Sequence, residues 1–367
     1  MKRLIVLIKP ASSLCDMGCH YCFYNDVAAS RHQASLGIMR REVAAVLIKN
    51  VFSVLATGDH ITFAFQGGEP GLAGLDYYLH FINEVKKNAP PKVKVHYALQ
   101  TNGLMINDGW CAFFKENNFL IGLSLDGDAS LHNQNRMDSQ GKGTFNRVMD
   151  AKRLLDRHDI PYNILCVLTS ETARRAKRMW SFILKENIRH IQFIPCLAPL
   201  GEEKAIGPAL TPEKFYRFYT DLFPLWKKEA EKGNVILIRL FEDIASLFLT
   251  GRGITCGLSG RCTPQIIVEA DGGVYPCDFY VLDAYRVSDL TKYNLQDAFE
   301  AVVASGFLEE ARPLSAKCSD CAHSQWCKGG CKRMYQAVYG GNCGMRLFLD
   351  ECLHDLLAVA RRVVANL

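Results

Sequence analysis

The densest chemistry in the chain lies in Cys15-Asp16-Met17-Gly18-Cys19-His20-Tyr21-Cys22-Phe23-Tyr24, where three cysteines follow one another as C-x3-C-x2-C. Thiolates on one short loop can bind three irons of a four-iron, four-sulfur cube. Ligation by four thiolates is the usual arrangement for storing or passing electrons, so a triad leaves one iron open to hold a reacting molecule. Zinc is the alternative. A zinc site normally takes a fourth Cys or His at ligand spacing, and His20, inside the triad, is the only candidate.

A second constellation lies toward the C-terminus. Cys256, Cys262 and Cys277 precede Cys318-x2-Cys321-x5-Cys327-x3-Cys331, with Cys343 and Cys352 beyond. These nine of the remaining twelve cysteines are enough for two fully ligated clusters with one left over. In a segment with little regular structure, ligation would also contribute folding free energy; one or two structural zinc sites meet the same count. Cys111, Cys166 and Cys196 fall in helix or strand contexts and read as small buried hydrophobes.

The elements that must position these groups show a regular rhythm. After a short apolar run at residues 4–8, helical spacing covers 40–55, 75–87, 108–116, 145–158 and 172–186. Strand patterns cover 60–65, 92–99, 119–125, 162–168 and 190–194. Such alternation argues for a parallel sheet with crossover helices; six units are too few for a closed eight-strand barrel. Functional loops are expected after the strands, where Gln66-Gly67-Gly68-Glu69-Pro70, Gln100-Thr101-Asn102-Gly103 and Asp126-Gly127 lie. The rhythm breaks near residue 197. Helices are then expected over 212–232 and 240–250, a hairpin over 265–275, and a last helix from about 348 to 364.

Composition sets the class. With 367 residues, 49% hydrophobic and 22% charged, the chain suits one large α/β domain and a smaller one. The net charge of +5 is too slight to argue for nucleic-acid binding. No apolar stretch is long enough for a membrane span, and the five-residue run after Met1-Lys2-Arg3 lacks a signal-peptide cleavage site. Fifteen cysteines without an export signal point to a cytoplasmic, metal-binding protein rather than to disulfides.

The triad, with aromatic residues around its last cysteine, resembles the signature of radical S-adenosylmethionine (SAM) enzymes. From Cys262 onward, C-x9-G-x4-C, C-x2-C-x5-C-x3-C and a late cysteine are similar to their SPASM extension. The runs Leu7-Ile8-Lys9-Pro10-Ala11-Ser12-Ser13, Phe63 to Pro70, Gln100 to Gly103 and Val274-Tyr275-Pro276-Cys277-Asp278-Phe279-Tyr280 resemble those of anaerobic sulfatase-maturating enzymes over almost the whole chain. Pro264, just after Cys262, departs from the family pattern without removing a ligand. The resemblance implies an α/β fold: a partial (β/α)6 TIM-like barrel over 1–235 and a cysteine-rich SPASM domain over 236–367. It implies three [4Fe-4S] clusters and SAM as cosubstrate. The first cluster would take Cys15, Cys19 and Cys22; one auxiliary cluster Cys256, Cys262, Cys277 and Cys331; the other Cys318, Cys321, Cys327 and Cys352. Cys352 is preferred to Cys343 because it opens the expected last helix.

The same resemblance implies roles. Gly67, Gly68 and Glu69 match the site for the SAM amine; the glycines suit close backbone approach to a ligand. Ser124 and Arg136 match positions that hold the SAM carboxylate, and backbone near Tyr21 and Leu197 would face the adenine. Asp278 matches the catalytic acid/base, with Asp283 a nearby competitor. Tyr24, Gln66 and Gln100 match positions that hold the target peptide. The implied reaction oxidises a Cys or Ser of an unfolded or nascent sulfatase, in a Cys/Ser-x-Pro/Ala-x-Arg motif, to Cα-formylglycine, with ferredoxin or flavodoxin as electron donor. The alternatives are a SPASM peptide maturase forming thioether or carbon-carbon crosslinks and a non-enzymatic iron-sulfur electron carrier. Peptide maturases often carry a leader-binding domain before the barrel, whereas here the first strand is expected almost at Met1. An electron carrier needs neither an open cluster nor the Gly67 to Glu69 turn.

Overall fold

The computed structural model describes residues 2–202 and 204–365. Its strands, in chain order, are β1 (Arg3–Ile8), β2 (His60–Phe65), β3 (Lys94–Thr101), β4 (Phe119–Ser124), β5 (Tyr162–Leu168), β6 (His190–Pro195), β7 (Leu237–Ile238), β8 (Ile266–Val268), β9 (Gly273–Tyr275) and β10 (Ser288–Asp289). The chain forms two compact units, each discontinuous in sequence, and neither ends at residue 235. The first comprises Met1–Ser124, Arg136–Tyr162 and Pro264–Glu310; the second comprises Leu125–Asn135, Asn163–Thr263 and Ala311–Leu367.

In the first unit β1, β2, β3 and β4 pair in parallel in chain order. β8 adds to the other side of β1 in parallel, and β9 and β10 continue from it antiparallel. Helices Arg41–Phe52, Leu75–Asn88, Asp108–Glu116 and Phe145–Arg157 belong to this unit. Their apolar stripes and the alternate residues of the strands make one aromatic core: Phe63 and Phe65 meet Phe81 edge-on, and Phe65 meets Tyr78 in the same way. Because successive strand residues face opposite ways, burying Phe63 and Phe65 on one face sends the intervening residues to the other.

The second unit holds β5, all but its first residue, with β6 and β7 parallel beside it. Its long helix Pro212–Glu231 starts where Thr211 accepts a hydrogen bond from the Lys214 N–H and Pro212 occupies the first turn. Tyr219, Phe223 and Phe241 pack around Phe348 of the last helix, with Phe241 and Phe348 stacked at 5.8 Å. Among the described residues no helix is long and apolar enough to cross a membrane.

Several elements depart from the sequence expectation, three of them near the C-terminal half of the chain. The stretch over 172–186 divides into a 3-10 turn, Thr172–Arg175, and a helix, Ala176–Lys185. A helix at Leu295–Ala304, unforeseen, is set by a capping box between Asn294 and Asp297. The last helix runs Gly344–Ala365, opening four residues earlier than expected, directly after Cys343. Gly344 is needed there by close approach: a Cβ would stand 2.1 Å from the Pro212 carbonyl oxygen. Gly344→Ala is therefore expected to destabilise the protein by roughly 1–3 kcal/mol, the range for overpacking, read as a lowered thermal midpoint.

Candidate active site

Strand register builds the site. Val268, Ile8, Phe65 and Leu99 are successive partners across β8, β1, β2 and β3. The next residue on each, Glu269, Lys9, Gln66 and Gln100, therefore stands in a row at the C-terminal ends of four parallel strands, turned away from the aromatic core. Lys9 and Glu269 are fully buried, so their charges need partners. Lys9 Nζ lies 2.5 Å from Asp278 Oδ1, and Gln66 Nε2 donates to Asp278 Oδ2 at 2.6 Å. Both oxygens of Asp278 are thereby held. The Lys9 ammonium also sits 4.1 Å from the centre of the Tyr24 ring, a cation–π distance.

Behind this pair lies a second buried group. The Tyr24 hydroxyl donates to Glu269 Oε1 at 2.5 Å; Arg31 Nη1 reaches the same oxygen at 2.8 Å and its Nη2 reaches the Tyr24 oxygen at 3.0 Å. Burial, then the Glu269 carboxylate, raises the Tyr24 pKa well above the usual phenol value. Asp278 opens a 3-10 turn directly after Cys277. Phe279 in that turn meets Phe23 edge-on at 5.1 Å, and Phe23 begins the helix Phe23–Ala29 that follows Cys22. The acid and the cysteine triad thus share one packed body. Asp283 is more exposed and pairs with His32 at 3.0 Å, outside this row.

The loop carrying the triad is seated on the Gly67-Gly68-Glu69 turn. The Gly68 N–H donates to the Ser12 carbonyl at 2.8 Å and the Glu69 N–H to the Leu14 carbonyl at 2.7 Å. A Cβ on Gly68 would stand 2.1 Å from the Leu14 oxygen; on Gly67, where φ is +141°, it would stand 2.8 Å from the Ser12 oxygen. The glycines thus admit the chain's own backbone. Glu69 Oε1 accepts from the Gly71 N–H and Thr101 hydroxyl, and Oε2 from the Asn102 N–H, leaving an acceptor position on Oε2. Burial pushes its carboxyl up to about 7, against the pull of those bonds. Asn102 Nδ2 ties the turn to the triad loop through Asp16 Oδ1 at 2.7 Å. Arg136 is buried with its guanidinium 5.5 Å from the Tyr21 ring centre, and buried Ser124 ends β4. These residues all belong to the first unit; Leu197 belongs to the second.

The second unit gathers most of the other cysteines. Cys256 and Cys262 are electrostatic neighbours of Cys331; burial is the main cause that pushes the Cys256 thiol up to about 11. Cys277, expected with them, belongs to the first unit. Cys318, Cys321 and Cys327 line one cavity together with Cys343, Lys317, His323 and Arg346. Cys352, the expected fourth member, does not line it; it lies within the last helix. The expectation that the residue opening this helix is the ligand fits Cys343 once the helix begins at Gly344. Four thiols around one cavity, with Arg346 Nε buried and lacking a hydrogen-bond acceptor, suit an iron-sulfur cluster. Among the described residues no three His, Cys, Asp or Glu side chains converge as they would on a single ion.

Comparison with known proteins agrees with this architecture. The Radical SAM superfamily matches residues 10–183, and SPASM, an iron-sulfur cluster-binding domain, matches residues 260–322. A cysteine-type anaerobic sulfatase-maturating enzyme of Clostridium novyi (strain NT) is 40% identical over 352 residues, 96% of this chain and 94% of that protein. A serine-type enzyme of Klebsiella aerogenes is 31% identical over 350 residues, 94% of this chain and 84% of the relative. A solved structure, native anSMEcpe with bound AdoMet and Cp18Cys peptide, superposes with a TM-score of 0.90 at 37% identity, covering 98% of this chain and 99% of that one.

Removing Cys343 should cost the protein about four irons after anaerobic reconstitution, whereas Cys352→Ala should keep the wild-type content. Iron analysis of the two variants checks the exchange. Gly68→Ala should unseat the triad loop and lower the iron bound by Cys15, Cys19 and Cys22, read as lost iron and lost charge-transfer absorbance.

Proposed function

The chain belongs to the anaerobic sulfatase-maturating enzymes of the radical SAM superfamily, and from this membership we propose how its own residues carry out the oxidation. It is a radical SAM oxidoreductase that carries a SPASM iron-sulfur domain. The reaction is conversion of a sulfatase residue to Cα-formylglycine, and the greater identity to the cysteine-type relatives supports Cys as the target. In this chemistry SAM at the open-cornered cluster supplies the 5′-deoxyadenosyl radical that takes a hydrogen atom from the substrate Cβ. The substrate must then lose a thiol proton and one further electron to become a thioaldehyde, which water converts to the aldehyde with release of hydrogen sulfide.

The observation that carries this assignment is the clamp on Asp278. A general base must be held within reach of the proton it takes. Lys9 and Gln66 hold one carboxylate oxygen each, leaving the remaining lone pairs as acceptors for the thiol proton. Gln66 is on this reading a positioning residue, and Tyr24 supports Lys9 through its ring; Gln100, at the end of the row, is left to hold the target peptide. Glu69 would pair with the SAM ammonium through its spare acceptor position, Gly67 and Gly68 would shape that turn, and Arg136 and Ser124 would hold the SAM carboxylate, with Tyr21 and Leu197 near the adenine.

The cluster ligands are proposed as the resemblance implies, with Cys343 in place of Cys352, giving about twelve irons per chain from three four-iron clusters. Residues 1–235 would generate the radical and 236–367 would carry the electron away, in the cytoplasm, with ferredoxin or flavodoxin as the low-potential donor. The deciding experiment incubates reconstituted enzyme anaerobically with reductant, SAM and a Cys-x-Pro-x-Arg peptide. Mass spectrometry should find formylglycine; a thioether or carbon-carbon crosslink instead would mean a peptide maturase, and no SAM cleavage would mean an electron carrier.

Two predictions follow from the buried charges. Asp278→Asn leaves the Lys9 ammonium buried without its counter-charge, a loss on the order of 3 kcal/mol in addition to the lost base. The pair Lys9→Gln with Asp278→Asn should regain much of that stability in thermal melts, yet still form formylglycine roughly a hundredfold more slowly while cleaving SAM. The second concerns Glu69. Burial pushes its carboxyl up to about 7, and only the ionised form pairs with an ammonium. SAM affinity should therefore weaken as pH falls below 7, by up to about tenfold per pH unit, and level off above it; Glu69→Gln should bind weakly without that slope.

A further inference from the structure

The cavity lined by Cys318, Cys321, Cys327 and Cys343 contains a charged side chain that the reaction has not used. Arg346 lies in the first turn of the helix Gly344–Ala365, and its backbone N–H donates to Cys343 Sγ at 3.4 Å. Arg346 lines the same cavity as the four thiols, and its Nε is buried with no hydrogen-bond partner. The opposing charge is Asp350, whose Oδ2 stands 3.9 Å from Nε and whose Oδ1 meets His323 Nε2 at 2.9 Å. Besides the thiols, Lys317, His323 and Tyr339 are the other cationic or titratable groups lining the cavity.

A buried N–H without an acceptor is costly, and the sulfurs of a cluster are acceptors. Hydrogen bonds to sulfur and nearby charge are two of the quantities that set a cluster's potential. A guanidinium supplies both, and favours the more negative, reduced state.

We propose that Arg346 tunes the cluster held by Cys318, Cys321, Cys327 and Cys343, raising its reduction potential so that it accepts the electron leaving the substrate radical. Reduction adds one electron to the cluster and changes no covalent bond. The proposal rests on this cavity holding a cluster, which the iron content of the Cys343→Ala protein reports separately.

The test is an EPR-monitored redox titration of the fully loaded enzyme. In Arg346→Gln one transition should move to lower potential by a tenfold change in its reduction equilibrium, about 59 mV for a one-electron couple, while the others stay in place. Arg346→Lys, which keeps the charge, should recover most of the shift. An Arg346→Gln protein with full iron content that titrates like the wild type would overturn the proposal. Should that variant load poorly, wild-type protein containing guanidino-15N arginine decides: pulsed EPR of the reduced cluster should detect 15N coupling, and its absence would equally overturn it.

Discussion

The interaction on which the active site depends is the ion pair between Lys9 and Asp278, two residues 269 positions apart. A lysine without solvent exposure at the end of a central strand is tolerable only when a counter-charge reaches it, because an unpaired ammonium in that position would cost more than several apolar contacts return. The partner comes from the turn after β9, so the pair fastens the end of β1 to the segment that carries Cys277. Once it is made, much else is constrained. Gln66 can reach only the other oxygen of Asp278, the Tyr24 ring lies beneath the ammonium, and Tyr24 is held in turn by Glu269 and Arg31.

A steric constraint complements the electrostatic one. The triad loop lies so close to the turn after β2 that side chains at Gly67 and Gly68 would collide with the Ser12 and Leu14 carbonyls. The two N–H groups donated there by Gly68 and Glu69 fix the height of the loop, and the Glu69 side chain crosses to Thr101 and Asn102 after β3. The turn proposed to meet SAM is therefore also the platform for the cysteines. A change at either glycine would disturb both functions, which makes the turn an unsuitable place to separate SAM binding from cluster binding.

Much of this fold was legible because its periodicity is local. The strands at His60–Phe65 and Tyr162–Leu168 and the helix Asp108–Glu116 have the bounds expected from alternation and helical spacing. The triad stands out by its spacing and Glu69 by its place after a strand, whereas Asp278 is marked only by the family resemblance. Lys9 and Glu269 do not stand out, since each merely follows an apolar run and its importance comes from partners far along the chain. Their signal was the register: if Gln66 and Gln100 end neighbouring strands as polar residues, the residues ending the strands beside them belong in the same row. The helix Leu295–Ala304 carries its own signal in the cap that Asn294 and Asp297 form and in the buried stripe Leu295, Ala298 and Val302.

The proposed exchange of Cys343 for Cys352 rests on where the last helix begins. Inside a helix every backbone N–H is engaged by a carbonyl one turn back, so Cys352 has no main-chain donor to offer a cluster. At the N-terminus the first N–H groups are unpaired and the helix dipole favours negative charge. Cys343 occupies that position at the head of a 22-residue helix, with the Arg346 N–H already on its sulfur. Burial alone would push its thiol up, the wrong direction for a ligand that must bind as thiolate; the helix end and a bound metal act the other way. On this proposal the first turn that would stabilise the ligand also places Arg346 at the cavity, so one helix start would provide both a thiolate and a charge next to it.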